Sequence, residues 1–389
     1  MKKIYFFLLA AVACSLQMNA TEGALQGRFT INQNGDQVVF SQGNLQYQAS
    51  TQTWRFAENQ YDYVGDATNG NVYVGETKSD NSLISDTYDG WIDLFGWGTG
   101  NAPTKVSMNN NDYMTFTDWG INAIHNGGNA ADQWRTLSKA EWNYLFSKRA
   151  NADNLRGLAT VNGIPGYVFL PDGFVVPTDL GFTANPNNWT INVYSATEWQ
   201  QMETVGAVFL PAAGERIGTE VIEVSEYGHY WSSTQNPISQ YQVYANKLDF
   251  HPNSIESDGS SNIYYGLSVR LVQAAPVIPT WTVTIVQPEH GTICVEETDV
   301  DLDAVPDGTE LNFIATPDEG YKLYSWDGGY PGMEITEDVT VTCTFVPDSE
   351  GVEEVPSDQG QSTNKILRNG LLLIERNGKT YNALGAEMK

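Results

Sequence analysis

Beyond its N-terminus this chain contains no long apolar run. Apolar residues come in short bursts closed by turn-forming residues. Examples are Gly27-Arg28-Phe29-Thr30-Ile31, Gln37-Val38-Val39-Phe40 and Leu45-Gln46-Tyr47, separated by Asn34-Gly35-Asp36 and Gln42-Gly43-Asn44. Bursts of this length between Gly and Asn are strands rather than helices. Residues 167–171, 207–211 and 267–272 repeat the pattern. Two segments break it. Ser138-Lys139-Ala140-Glu141 and Ser195-Ala196-Thr197-Glu198 are capping boxes, in which the Ser oxygen satisfies an orphan amide and Glu reaches back to the cap amide. The first is followed by Trp142, Leu145 and Phe146 on one face, the second by Trp199 and Met202. Many short strands with two short helices predict an irregular α+β fold.

Charge narrows the function classes. The formal net charge is −27, from 20 Lys+Arg against 47 Asp+Glu. A nucleic-acid partner needs a basic face that displaces counterions from phosphates, so that class is excluded. A disordered acidic chain would be poor in aromatics, whereas here they are 12% of residues, with 11 Trp and 20 Tyr. No Gly-X-Y or heptad period points to a fibrous protein.

The chain opens Met1-Lys2-Lys3, followed by an apolar stretch from Ile4 to Ala13. That stretch falls short of the ~20 apolar residues a membrane-spanning helix needs. Residues 1–20 therefore read as a cleaved export signal ending at Ala20. The alternative is an outer-membrane lipoprotein cut before Cys14, since Ala11-Val12-Ala13-Cys14 is a loose lipobox. No later run reaches membrane-spanning length. Residues 22–273 form a first block, and Ala274-Ala275-Pro276-Val277-Ile278-Pro279 is a proline-bounded linker. Residues 280–347 form a second block of short alternating strands. Residues 348–364 are an acidic flexible linker, and 365–389 a last small β module.

Five segments of the first block resemble a known group. They are Tyr88-Asp89-Gly90-Trp91-Ile92-Asp93-Leu94-Phe95-Gly96-Trp97-Gly98, Trp134-Arg135-Thr136-Leu137-Ser138-Lys139-Ala140-Glu141-Trp142, Phe209-Leu210-Pro211-Ala212-Ala213-Gly214, Tyr230-Trp231-Ser232-Ser233-Thr234 and Gly266-Leu267-Ser268-Val269-Arg270-Leu271-Val272. In this order they look like the FISUMP-type major paralogous domains, similar in turn to formylglycine-generating enzymes and the C-type lectin fold. Residues 22–273 contain no cysteine, so the copper–thiolate chemistry of those enzymes has no ligand here. Neither the Glu-Pro-Asn or Gln-Pro-Asp nor the Trp-Asn-Asp triplet of calcium-dependent lectins occurs. Variable proteins of this fold use the stretch between the last two motifs as a ligand-binding surface. By that resemblance Tyr241, Tyr244, Asn246, His251, Asn253, Asn262 and Tyr264 are the candidate ligand-binding residues. Tyr provides contact area at low entropic cost and Asn adaptable hydrogen bonds. The same residues can equally be ordinary loop and edge-strand surface with some Tyr in the core.

In the second block, residues 281–286, 308–317, 320–329 and 339–345 alternate as strands, and the whole resembles one internalin-type (divergent InlB) B repeat. The resemblance implies a surface spacer or adhesion module. Asp299, Asp301, Asp303 and Glu310 have EF-hand spacing, but Ala304 stands where that loop needs Gly; Val300 and Leu302 alternate with the acids as on a half-buried strand. Cys294 and Cys343 are either a candidate disulfide or two buried thiols. Residues 365–389 read as a β-hairpin with Asn-Gly turns, and resemble the end of type IX secretion sorting domains. Lys365, Arg368, Arg376, Lys379 and Lys389 make this tail basic on an acidic protein.

The four His are scattered and no metal, phosphate-loop or nucleophile-elbow motif occurs, so no cofactor, metal or catalytic residue is expected. The expected function is a non-enzymatic, exported cell-surface or secreted binding or adhesion protein for a glycan or protein ligand of host or envelope. The alternatives are a structural or fimbria-like envelope component, or a glycan hydrolase using paired acids.

Overall fold

The computed structural model describes residues 22–66, 79–237, 243–298, 300–348, 363–368, 371–376, 379–382 and 387–388. The expected export signal, Cys14, Tyr241 and Asp299 lie outside the described residues, as does nearly all of the stretch 348–364 expected to be a linker. The chain divides into two compact units, Met1–Pro276 and Val277–Lys389.

The first unit is built from small sheets and two α-helices. Both helices begin at the expected capping boxes. Ser138 Oγ accepts from the Glu141 amide while the Glu141 carboxylate accepts from the Ser138 amide, opening α1 (Lys139–Ser147). Ser195 and Glu198 do the same for α2 (Ala196–Thr204). Trp142 and Leu145 of α1 and Trp199 and Met202 of α2 are buried. The strand expectations hold in place and shift at their ends: Gln37–Phe40, Leu45–Gln48, Ile164–Phe169 and Val208–Pro211 are strands, whereas the 267–272 burst starts its strand only at Leu271.

The five motif segments are the joints of this unit. Trp97 Nε1 donates to the Ser232 carbonyl at 2.9 Å, and Trp231 Nε1 donates to the Phe95 carbonyl at 2.7 Å. Phe95 and Leu267 exchange both backbone hydrogen bonds. Tyr230 Oη donates to the Pro211 carbonyl, and the Lys139 amide donates to Thr234 Oγ1. The indoles of Trp97, Trp134 and Trp231 thus serve as buried bulk and as directional donors, whereas those of Trp91 and Trp142 supply bulk alone. Trp91, Trp97, Trp134, Trp142 and Trp231 are all buried, as expected of fold-defining residues.

Buried charge is a second feature. The Arg270 guanidinium, 1% exposed, is held by Gln60 Oε1 at 2.8 Å and by longer contacts to the Phe209 carbonyl and Asn44 Oδ1. Asp93 accepts from the Val64 amide and from Asn81 Nδ2, both at 2.8 Å; its burial raises its pKa to about 6 against those hydrogen bonds.

The second unit is all β. Val283–Ile285 pairs in parallel with Val339–Val341, and Tyr321–Asp327 pairs antiparallel with the other side of the same long strand. A cluster of Val283, Ile293, Val305, Leu311, Phe313, Ile335, Val341, Cys343 and Phe345 is its core. The expected 281–286 strand is split, with Thr280–Trp281 pairing Val305–Pro306 instead. The acid-rich segment is a turn, not a strand: Asp301 Oδ1 accepts from the Asp303 amide, a local bond that Asp offers in competition with a ladder. Val300 and Leu302 still pack on the core. Cys343 is a buried free thiol as expected of the second reading, but Cys294 is an exposed one, because its side chain falls on the outer face of the Gly291–Val295 strand. The C-terminal hairpin extends to a four-stranded antiparallel sheet of Thr363–Arg368, Leu371–Arg376, Lys379–Asn382 and Glu387–Met388.

Candidate functional site

The stretch between the last two motifs folds into a three-stranded antiparallel sheet, Gly228–Pro237, Val243–His251 and Ser254–Asn262, with the middle strand between the others. Register decides which candidate residues meet. Tyr244 stands directly opposite Asn262, so their side chains share a face, and both are partly exposed. Tyr264 follows two residues on, its ring 5.1 Å from that of Tyr265, and both pack on the core below. These residues gather at the open end of the long hairpin.

The other candidates do not join them. Asn246, 2% exposed, donates its amide to the Asp258 and Gly259 carbonyls, so it braces the hairpin and faces no ligand. Asp258 lies where the ladder slips, between the Lys247–Gly259 and Asp249–Glu256 pairs. His251 lies seven residues from Tyr244, about 23 Å along the strand. Asn253 is in the turn beyond it, its amide 3.4 Å from His251 Nδ1.

His251 belongs instead to a cluster that sequence reading missed. Its ring lies 4.4 Å from Tyr227, which stacks on His229. His229 is 3% exposed, with Nε2 2.9 Å from Glu223 Oε2 and 4.0 Å from Glu215 Oε2. Its Nδ1 faces Asp249 Oδ1 at 3.2 Å and Lys247 Nζ at 2.8 Å, and Lys247 Nζ lies 3.2 Å from Asp249 Oδ2. Two glycines make this packing sterically open. Gly214 and Gly228 form a parallel bridge, which sets the next residues, Glu215 and His229, side by side. A Cβ on Gly214 would fall 2.1 Å from the Ile222 carbonyl oxygen, and one on Gly228 would enter the Phe250 ring at 1.9 Å. Glu223 itself sits at φ +61°, a conformation that a non-glycine residue adopts at a cost.

The electrostatics follow from this packing. Burial opposes the charged form of His229, but hydrogen bonds to Asp249 and Glu223 outweigh it and raise its pKa. Burial raises the pKa of Glu215. The hydrogen bond from His229 lowers that of Glu223, and His229 with Lys247 lowers that of Asp249 against its burial. The one signal in the sequence was Gly-Glu and Gly-His flanking a short hairpin, which carries no meaning until the bridge is known.

Elsewhere in the first unit, a hollow of about 230 Å³ beside α2 is lined by Asn59, Tyr61, Trp199, Gln200 and Glu203 among others. Gln60 Nε2 donates to Glu203 Oε2 at 3.0 Å, which links that carboxylate through Gln60 to the buried Arg270. The hollow contains a single carboxylate.

The second unit's alternating strands, its small core and its parallel outer pair stand over a defined stretch of sequence. Residues 281–350 match the divergent InlB B-repeat domain. No curated protein and no solved structure matches the chain. The B repeat carries exposed apolar side chains on its Tyr321–Asp327 strand, Tyr324 being 73% exposed. Among the described residues, no helix is long and apolar enough to cross a membrane.

Proposed function

We propose that this is an exported binding protein without catalytic activity. Its first unit is a C-type-lectin-like domain of the FISUMP type that presents the open end of the Val243–Asn262 hairpin to a glycan or protein ligand, and its B repeat is a spacer or adhesion module. The observation that carries this reading is the pairing of Tyr244 with Asn262, beside the Tyr264–Tyr265 ring pair, on a hairpin braced from within by Asn246. Partly exposed Tyr rings and an amide that is itself positioned by the Tyr265 side chain, on a rigid support, are the chemistry of sugar stacking and of antibody-like recognition. The basic C-terminal sheet is a sorting signal for type IX export in this reading.

The test is to screen the full exported chain on broad glycan and host-protein arrays. Saturable binding to one class supports the proposal, and a folded protein that binds nothing on either array counts against it. Deleting residues 365–389 in a type IX-competent cell should leave the protein inside; unaltered surface delivery would remove the sorting role.

A further inference from the structure

We infer that Glu215, Glu223 and His229 form a binding site for a divalent metal ion of the zinc class, with Asp249 as the group that orients the histidine. The ligand atoms of the three residues all lie within 4.8 Å of one another. Four-coordinate zinc with bonds of about 2.0–2.1 Å places its ligand atoms about 3.3 Å apart. The two spacings from His229 Nε2, 2.9 Å to Glu223 and 4.0 Å to Glu215, bracket that value. The His229 Nε2 spacings therefore lie within an ångström of a coordination shell, and the two carboxylates, whose ligand atoms are within 4.8 Å of each other, close on the ion by side-chain rotation.

An independent observation points the same way. Glu215 is only 7% exposed, yet among the described residues no donor hydrogen-bonds its carboxylate; its nearest opposite charge is His229 Nε2 at 4.0 Å. A buried carboxylate without a donor is costly, and the structure gives it no protein partner closer than this. Its open side faces the imidazole nitrogen and the second carboxylate, where a cation would satisfy all three.

The surroundings suit a metal. A ligating His usually donates its other ring N–H to a carboxylate, which fixes the ring and its tautomer. Asp249 Oδ1 stands 3.2 Å from Nδ1, buried and, among the described residues, without a well-aligned hydrogen-bond partner of its own, so a small turn of the ring would give it that role. With Nδ1 protonated, the Lys247 ammonium must leave its 2.8 Å contact with Nδ1, and Asp249 Oδ2 at 3.2 Å remains its acceptor. Three carboxylates against one ammonium, with His229 neutral, leave two negative charges for a dication to cancel. The hydrogen bond between Nε2 and Glu223 gives way as the metal takes both atoms, and a proton carried by Nε2 is displaced. The imidazole selects zinc or a similar transition ion over calcium and magnesium, which take oxygen ligands.

The experiment uses the full chain, stripped with a chelator, and Zn²⁺ alone as the probe in titration calorimetry, with Co²⁺ substitution read by its visible d–d absorption. One equivalent should bind saturably, and Co²⁺ should give the intense band of a four-coordinate site. Asp249→Asn should weaken binding about 10–100-fold, and Glu215→Gln and Glu223→Gln should weaken it further. Glu223 is half-exposed on a turn, so Glu223→Gln remains decisive where Glu215→Gln fails to fold. Absence of one-equivalent binding overturns the inference. So does binding of unchanged affinity and Co²⁺ spectrum in Glu223→Gln, which would place the metal on other histidines.

Discussion

The two units of this chain are both assembled from short strands, yet they are held together differently. The first buries three contiguous apolar clusters and, within them, Arg216, Arg270, Asp93, His229 and Glu215. The B repeat has one cluster of nine buried residues, and among its described residues no charged side chain is buried. Buried charge and hydrogen-bonded indoles make a core directional, since each group must find its own partner. A small apolar core needs only volume and pattern. The first unit should therefore respond sharply to single polar changes and to pH, and the B repeat should not.

The largest expected effect is at a motif indole. Trp231→Ala removes core volume and one of the two donors to the Phe95 carbonyl, which keeps the Leu267 amide, and should destabilise the first unit by about 3–5 kcal/mol, chiefly through the cavity. Urea unfolding followed by tryptophan fluorescence measures it. A loss below about 1 kcal/mol would mean that the indoles are ordinary filler.

Next comes Asp93. Its pKa is about 6 in the folded protein against an ordinary value of 3.8. The folded state thus keeps its proton to higher pH than the unfolded state does. The contribution is complete below about pH 4 and is lost as pH rises through 6, a cost of about 3 kcal/mol at neutral pH. The difference between the stability curves of the wild type and Asp93→Asn should fall across that window and be flat above it; parallel curves would contradict the burial. No such step is expected from the described residues of the B repeat.

Smaller still, Ser138→Ala should cost about 1 kcal/mol by losing the cap of α1, readable as a modest shift in the same urea midpoint. The least energetic test separates the thiols of the B repeat. Cys294 should react with a thiol reagent at once and Cys343 only on unfolding. Equal rates would show that this small core opens freely.

What the sequence made legible follows the same divide between local and long-range chemistry. Ser138 with Glu141, and Ser195 with Glu198, specify their helices within four residues, so both were readable. Burial of the motif tryptophans was readable from size and recurrence. The His229 cluster was not, because its members come from separate strands that meet only through the Gly214–Gly228 bridge. The ligand face was half readable. Tyr244 and Asn262 meet through register, but His251 falls at the far end of the same hairpin, and the ladder slip beside the Asn246 amide leaves no mark in composition. Likewise Asp301 spends its side chain on a local turn where alternation alone pointed to a strand.

The claim that recognition resides at the open end of the hairpin is tested most directly by calorimetric titration of the best array ligand into four proteins: wild type, Tyr244→Ala, Asn262→Ala and Asn253→Ala. Loss of at least about tenfold in affinity (about 1.4 kcal/mol) for the first two variants, with Asn253→Ala unchanged, is the predicted result. Affinity untouched by Tyr244→Ala and Asn262→Ala, or lost only on changing Asn253 at the turn, would contradict it.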